Sequence, residues 1–163
     1  MSKISTWLWF NGEAEEAANY YASVFRDAKV GKIMRAPAGG EPHVKEGIAL
    51  TVEFEIEGQS FVGLNGGKAD FTFNDSISFQ IQCANQAELD EYWSKLTANG
   101  GREVQCGWLK DRFGVSWQII PEALPRLLGD PDKARAGRVM QAMMGMVKID
   151  IAELEAAAAG RSS

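Results

Sequence analysis

At 163 residues, with 45% apolar and 24% charged side chains, the chain is long enough to bury a sizeable core and has the composition of an ordinary globular protein. Its net charge of −5, with a loose basic group only at Arg126, Lys133, Arg135, Arg138 and Lys148, lacks the dense positive field that nucleic acid requires. No apolar run reaches the length of a bilayer span and MSKISTWLWF has no signal-peptide core, so the expectations are no nucleic acid, no membrane and a cytoplasmic location.

The first element is a strand over Lys3–Phe10. Side chains alternate along it, so Trp7 and Trp9 face one way and Thr6, Leu8 and Phe10 the other. Asn11-Gly12 ends it. Glu13–Phe25 follows as a helix with Ala14, Ala17, Ala18, Tyr21 and Phe25 in an apolar stripe, Asn11 as a candidate cap and Glu13, Glu15 and Glu16 at the positive end of the dipole. Lys29–Arg35 is a second strand and Ala36–Glu46 a loop rich in Pro and Gly. Gly47–Glu57 alternates apolar and polar residues, and Glu57-Gly58 turns it into a strand over Gln59–Leu64.

The order strand, helix, three strands then begins again. Ser76–Cys83 is a strand, and Asn85 with Glu88 makes a capping box for a helix that Asn99-Gly100-Gly101 stops. Arg102–Trp108 and Val115–Ile120 supply later strands. Laid over one another, the two stretches place Thr6 on Ser78, Tyr20-Tyr21 on Tyr92-Trp93 and Val24 on Leu96. Repetition of this kind suggests that neither half covers its sheet alone. The expected architecture is α+β: one domain over residues 1–163, with modules at 3–67 and 76–121 and C-terminal helices at 122–158. Asp130-Pro131 reads as the start of a Met-rich helix, and Asp150 with Glu153 as the capping box of the last one.

With helices on one face of each sheet, the other face is expected to line a pocket. In the second module Ile77, Phe79, Ile81, Trp117 and Ile119 read as the helix-covered set, leaving Ser78, Gln80, Gln82, Ser116 and Gln118 for the pocket. In the first module the expected pocket set is Thr6, Leu8, Phe10, Phe61, Gly63 and Asn65, with Glu53 and Glu55 at the rim. Amides and hydroxyls among apolar walls suit a small polar or amphipathic ligand. Catalytic constellations are sparse. His43 is the single histidine, Cys83 and Cys106 form no CxxC pair, and no metal or cofactor is expected. Cys106 is the candidate nucleophile, with Lys110 and Arg112 nearby in sequence. Glu53, Glu55 and Asp75 are candidate acids or bases, none in a recognisable pair, and burial as a small apolar side chain is the simpler fate of Cys106.

Several motifs together resemble one family. They are Trp7-Leu8-Trp9-Phe10-Asn11-Gly12, Ala14-Glu15-Glu16-Ala17, Leu64-Asn65-Gly66-Gly67, Ile77-Ser78-Phe79-Gln80, Gln105-Cys106-Gly107-Trp108-Leu109-Lys110-Asp111, Phe113-Gly114, Ser116-Trp117-Gln118-Ile119 and Arg138-Val139-Met140-Gln141-Ala142-Met143. The chain is similar to the PhnB-like group of the glyoxalase/bleomycin-resistance/dioxygenase (vicinal oxygen chelate) superfamily, a group that also carries the description 3-demethylubiquinone-9 3-methyltransferase domain. The resemblance implies paired βαβββ modules and a homodimer. It also implies that the metal-ligand positions of metal-dependent members fall on Thr6, Gly63, Ser78 and Gln118, none of them a His or a carboxylate. The expectation is therefore a metal-independent small-molecule-binding protein or enzyme. The alternatives are a methyltransferase, a metal-dependent lyase or dioxygenase, and a structural homodimer without ligand.

Overall fold

The computed structural model describes residues 2–39 and 45–161, and His43 lies outside them. The first run of elements is β1 (Thr6–Phe10), α1 (Ala14–Val24), β2 (Ala28–Arg35), β3 (Ala49–Ile56) and β4 (Gln59–Asn65). The second is β5 (Phe79–Cys83), α2 (Gln86–Thr97), β6 (Arg102–Glu103), β7 (Trp108–Lys110) and β8 (Ser116–Pro121). Three helices follow: α3 (Ala123–Leu128), α4 (Lys133–Met144) and α5 (Ile151–Ala158). The sheets have orders β1-β4-β3-β2 and β5-β8-β7-β6. In each, the first and last strands of the βαβββ run pair in parallel, and the other pairings are antiparallel. This is the expected α+β architecture. The chain divides into two compact units, Met1–Thr72 and Phe73–Ser163.

In the first unit α1 packs on all four strands. Its stripe of Ala14, Ala17, Ala18, Tyr21 and Val24 is buried, because small residues at helical spacing allow close approach to the sheet. Tyr21 stacks on Phe54, and Phe54 on Phe61, which places both phenylalanines on the helix side. Gly63 lies under the first turn of α1, and a Cβ added there would stand 3.1 Å from that of Ala14. A helix N-terminus leaves several backbone N–H groups without helical partners. Asn11 was the expected cap, but Asn65 supplies the acceptor from the end of β4. Its Oδ1 accepts from Gly12 N (3.1 Å) and Ala14 N (3.0 Å), and its Nδ2 donates to Ala49 O (2.8 Å).

In the second unit α2 packs on β5, β7 and β8 through buried Leu89, Trp93 and Leu96. The capping box is present: Glu88 N donates to Asn85 Oδ1 (2.9 Å), and Ala84 N to Glu88 Oε2 (2.7 Å). Strand β5 begins at Phe79, three residues later than the sequence pattern implies, because Asn74 Oδ1 takes both the amide and the hydroxyl of Ser76 and forms a turn there. Ile77 is accordingly exposed rather than helix-covered. Buried Asp111 fixes the turn between β7 and β8. Its Oδ1 accepts from Phe113 N and Val115 N, and its Oδ2 from Trp117 Nε1 (2.9 Å).

The C-terminal helices complete the second unit. Asp132, not Asp130, caps α4, its Oδ1 accepting from Ala134 N and Arg135 N. Met140 and Met144 remain exposed on α4, while Met146 is buried beyond its end. The chain from Met146 to Ile149 is tied to the body by Cys106 N to Met146 O (2.9 Å), Gly107 N to Val147 O (2.8 Å) and Gln86 Nε2 to Ile149 O (3.1 Å). Arg138 closes the far end of α5, with Nε to Ala157 O (2.9 Å) and Nη2 to Ala158 O (2.8 Å). A guanidinium on terminal carbonyls satisfies orphan acceptors and opposes the negative end of the dipole. Arg138→Gln is expected to cost about 1 kcal/mol. Hydrogen exchange should show it as faster exchange over the last turn of α5 with strand amides unchanged; uniform acceleration would argue against a local role.

Candidate functional site

The two sheet faces differ in what they present. In the first unit the expected pocket side is wrong: Thr6, Leu8, Phe10, Phe61, Gly63 and Asn65 face α1. Leu8, Phe10 and Phe61 belong to the core, Gly63 lies against Ala14, and Asn65 is spent on the start of α1. The reason is that both faces of β1 are apolar, so alternation separates the faces without saying which one the helix covers. The open face instead carries Trp7, Trp9, Val62, Leu64, Glu53 and Glu55. A recess of about 370 Å³ lies on it, lined by Ser5, Trp7, Lys29, Gly31, Glu53, Glu55, Ser60 and Val62 together with Phe54 and Phe61. Gly31 opposes Glu53 across β2 and β3, and the missing side chain leaves room beside that carboxylate. Trp7 Nε1 donates to Ser5 Oγ, and Lys29 pairs with Glu55 at 3.3 Å. The aromatic wall is a feature that the sequence reading missed; the signal was Trp7 and Trp9 on one face of β1.

In the second unit the structure places the expected polar set on the open face. Trp117, Ile119 and Leu109 are buried on the α2 side, and register pairs Phe79 with Trp117 and Ile81 with Ile119. On the opposite face Gln118 Nε2 donates to Ser78 Oγ (2.8 Å), and Gln80 Nε2 donates to Gln118 Oε1 (3.4 Å). Ser78, just before β5, with Gln118 and Gln80 thus forms an amide and hydroxyl ladder beside and across β5 and β8. Gln82 is exposed farther along, opposite Ile120. The Ile120 side chain closes against Gly107 and Ile149, so that end of the face is apolar and covered by the C-terminal chain.

Cys83 is fully buried and its thiol is pushed up to about 12, chiefly by burial, which leaves it un-ionised at neutral pH. Cys106 stands in a turn with φ of 54°, and its Sγ lies 3.9 Å from Met144 O, a carbonyl and not a cation. Lys110 is engaged by Asp75, and the Arg112 guanidinium lies over the Phe113 ring.

Among the described residues the donor set does not fit a divalent metal. Among the described residues no three His, Cys, Asp or Glu side chains form a ligand group. Of the four positions that the resemblance assigns to ligands, Thr6 and Gly63 face α1, while Ser78 and Gln118 offer only neutral oxygens, Ser78 Oγ accepting from Gln118 Nε2 and Gln118 Oε1 from Gln80 Nε2. Nor does the β1–α1 connection fit S-adenosylmethionine in the manner of a Gly-rich cofactor loop, because Asn65 occupies the amides of Gly12 and Ala14. Among the described residues no helix is long and apolar enough to cross a membrane.

Comparison with known proteins gives a consistent result. The sequence profile of the family described as 3-demethylubiquinone-9 3-methyltransferase matches residues 2–120. A solved PhnB protein from Bacillus cereus, itself named for 3-demethylubiquinone-9 3-methyltransferase, is 33% identical, with a TM-score of 0.67 over 74% of this chain and 99% of that one. A solved protein from Pseudomonas aeruginosa shares the fold at 18% identity, with a TM-score of 0.60 over 75% of this chain and 98% of that one. No curated protein matches the chain.

Proposed function

Since the chain belongs to the 3-demethylubiquinone-9 3-methyltransferase family, the PhnB-like group of the vicinal oxygen chelate superfamily, we propose that it is a metal-independent binding domain for a small polar or amphipathic molecule held on an open sheet face. The observation that carries this reading is the Ser78–Gln118–Gln80 ladder. Its groups are directional donors and acceptors at the surface of a strand pair, where the scaffold holds them rigidly. Once they bond to each other they are kept in register, and the exposed amide of Gln80 retains hydrogen-bonding capacity for a ligand. Gln82 extends the polar edge, and Glu53 with Trp7 offers a second, aromatic and acidic surface in the first unit. The superfamily's metal chemistry is not part of the proposal, because its ligand positions here hold no charged donor.

Ligand binding to the native state alone stabilises it by linkage, by about 2.7 kcal/mol at a hundredfold excess over Kd. A thermal-shift screen of small polar and amphipathic compounds should find binders that raise the Tm of the wild type. Gln118→Ala should abolish the rise while leaving the unliganded Tm within a few degrees. A library without binders, or binders indifferent to Gln118→Ala, would refute the reading.

A further inference from the structure

The second unit holds a cluster that the amide ladder does not use. One cross-strand row on the open face runs Ser116, Lys110, Arg102 over β8, β7 and β6. Like charges directly opposite one another on neighbouring strands repel, and Lys110 and Arg102 stand in that relation. A carboxylate from the chain before β5 offsets them. Asp75, in the Asn74–Ser76 turn, accepts from Ser116 Oγ at 2.7 Å and meets Lys110 Nζ at 3.2 Å, both on its Oδ1. The Ser116 bond, then Lys110, and to a smaller extent the field of Arg102 hold the Asp75 carboxyl below its ordinary value.

The partners differ in how they are held. Ser116 is 1% exposed and the Lys110 side chain 15%, and both are fixed on paired strands. Asp75 is on a turn, with 57% of its side chain exposed. The donors are therefore built into the sheet, and the acceptor rests on them from outside. The adjoining row of the same face is Gln80, Gln118 and Trp108, so the donors lie beside the amide ladder.

We propose that Ser116, Lys110 and Arg102 form a carboxylate subsite, and that Asp75 is an internal occupant which a ligand carboxylate displaces. The inference rests on the ligand-binding reading and narrows it. The molecule bound carries a carboxylate at one end and a hydrogen-bonding body that reaches Gln118 and Gln80. Exchanging one carboxylate for another keeps Lys110 neutralised, so the donors are never left with uncompensated charge. The affinity seen in the wild type is reduced by the fraction of molecules in which Asp75 is in place.

The test is an NMR titration with sodium acetate at constant ionic strength, balanced with sodium chloride, on wild type, Asp75→Ala and Asp75→Asn. The expected result is saturable shifts of the Ser116, Lys110 and Arg102 amides in all three, with apparent Kd about tenfold lower in Asp75→Ala than in wild type. Lys110→Met in the Asp75→Ala background should remove them. No saturable response in either Asp75 variant, or the same response to chloride alone, would overturn the subsite. Tighter binding of inorganic phosphate than of acetate would overturn its assignment to carboxylates. Acetate binding as expected with no Gln118-dependent compound would leave the subsite standing and remove the ladder as the ligand's anchor. Gln118-dependent binders with no acetate response would do the reverse.

Discussion

Asp111→Ala is expected to lower the unfolding free energy by about 4 kcal/mol, the largest single-residue effect anticipated in this protein. The carboxylate is 2% exposed and accepts three N–H groups, from Phe113, Val115 and the Trp117 indole. Bonds to an ionised acceptor are stronger than neutral ones. Removing the acceptor also strands donors that the closed turn keeps from water. The indole of Trp117 is in the core, so the loss reaches beyond the turn into the packing of α2 on β8. Asp111→Asn keeps one oxygen for the two backbone amides but sets an amide nitrogen against the Trp117 N–H, and should cost about half as much. Urea unfolding followed by tryptophan fluorescence measures both. A cost below about 1 kcal/mol for the alanine variant would show that the turn is held by something else.

The second large effect is expected at Asn65, where alanine should cost about 3 kcal/mol. One side chain here serves two structures. Its Oδ1 fills the start of α1 in the role that a local cap would play, and its Nδ2 reaches Ala49 O at the beginning of β3. Caps supplied by the preceding residue contribute about 1 kcal/mol. Asn65 is costlier to lose because it is 3% exposed, so both ends of the broken network stay dry. Asn65→Asp is the informative companion. It keeps an acceptor for the Gly12 and Ala14 amides, where negative charge is favoured, but loses the bond to Ala49 O. Equal losses for alanine and aspartate in thermal unfolding would mean that the helix-start bonds contribute nothing.

Much of this architecture was legible in the sequence because its signals were local. Alternation marked β3 and β5, Asn85 and Asp150 cap their helices by accepting from Glu88 N and Glu153 N, and the repeat of strand, helix and three strands gives two similar units. The second module's polar face was legible for the same reason: glutamines and serines alternate there with Phe79, Ile81, Trp117 and Ile119. The first module defeated the same logic. Leu8 and Phe10 compete with Trp7 and Trp9 for the core, and burial is settled by fit against α1. Ala14, Ala17 and Ala18 bring the helix too close to the sheet for an indole to intervene. Long-range partners were out of reach altogether. Nothing in the spacing of Asn65 from Gly12, or of Asp75 from Ser116 and Lys110, announces that they meet.

The seat of Gly63 beneath α1 bears on what residue 63 can carry. The resemblance puts a metal-binding glutamate of other members at this position, and a single substitution to install one would appear simple. In this chain any side chain at residue 63 enters the contact with Ala14, at a Cβ separation of 3.1 Å. A carboxylate introduced there would be directed into the helix packing and away from the open face. Placing an acidic side chain at residue 63 would first require the helix to be reseated, so close packing of α1 and a carboxylate at this point of β4 exclude one another.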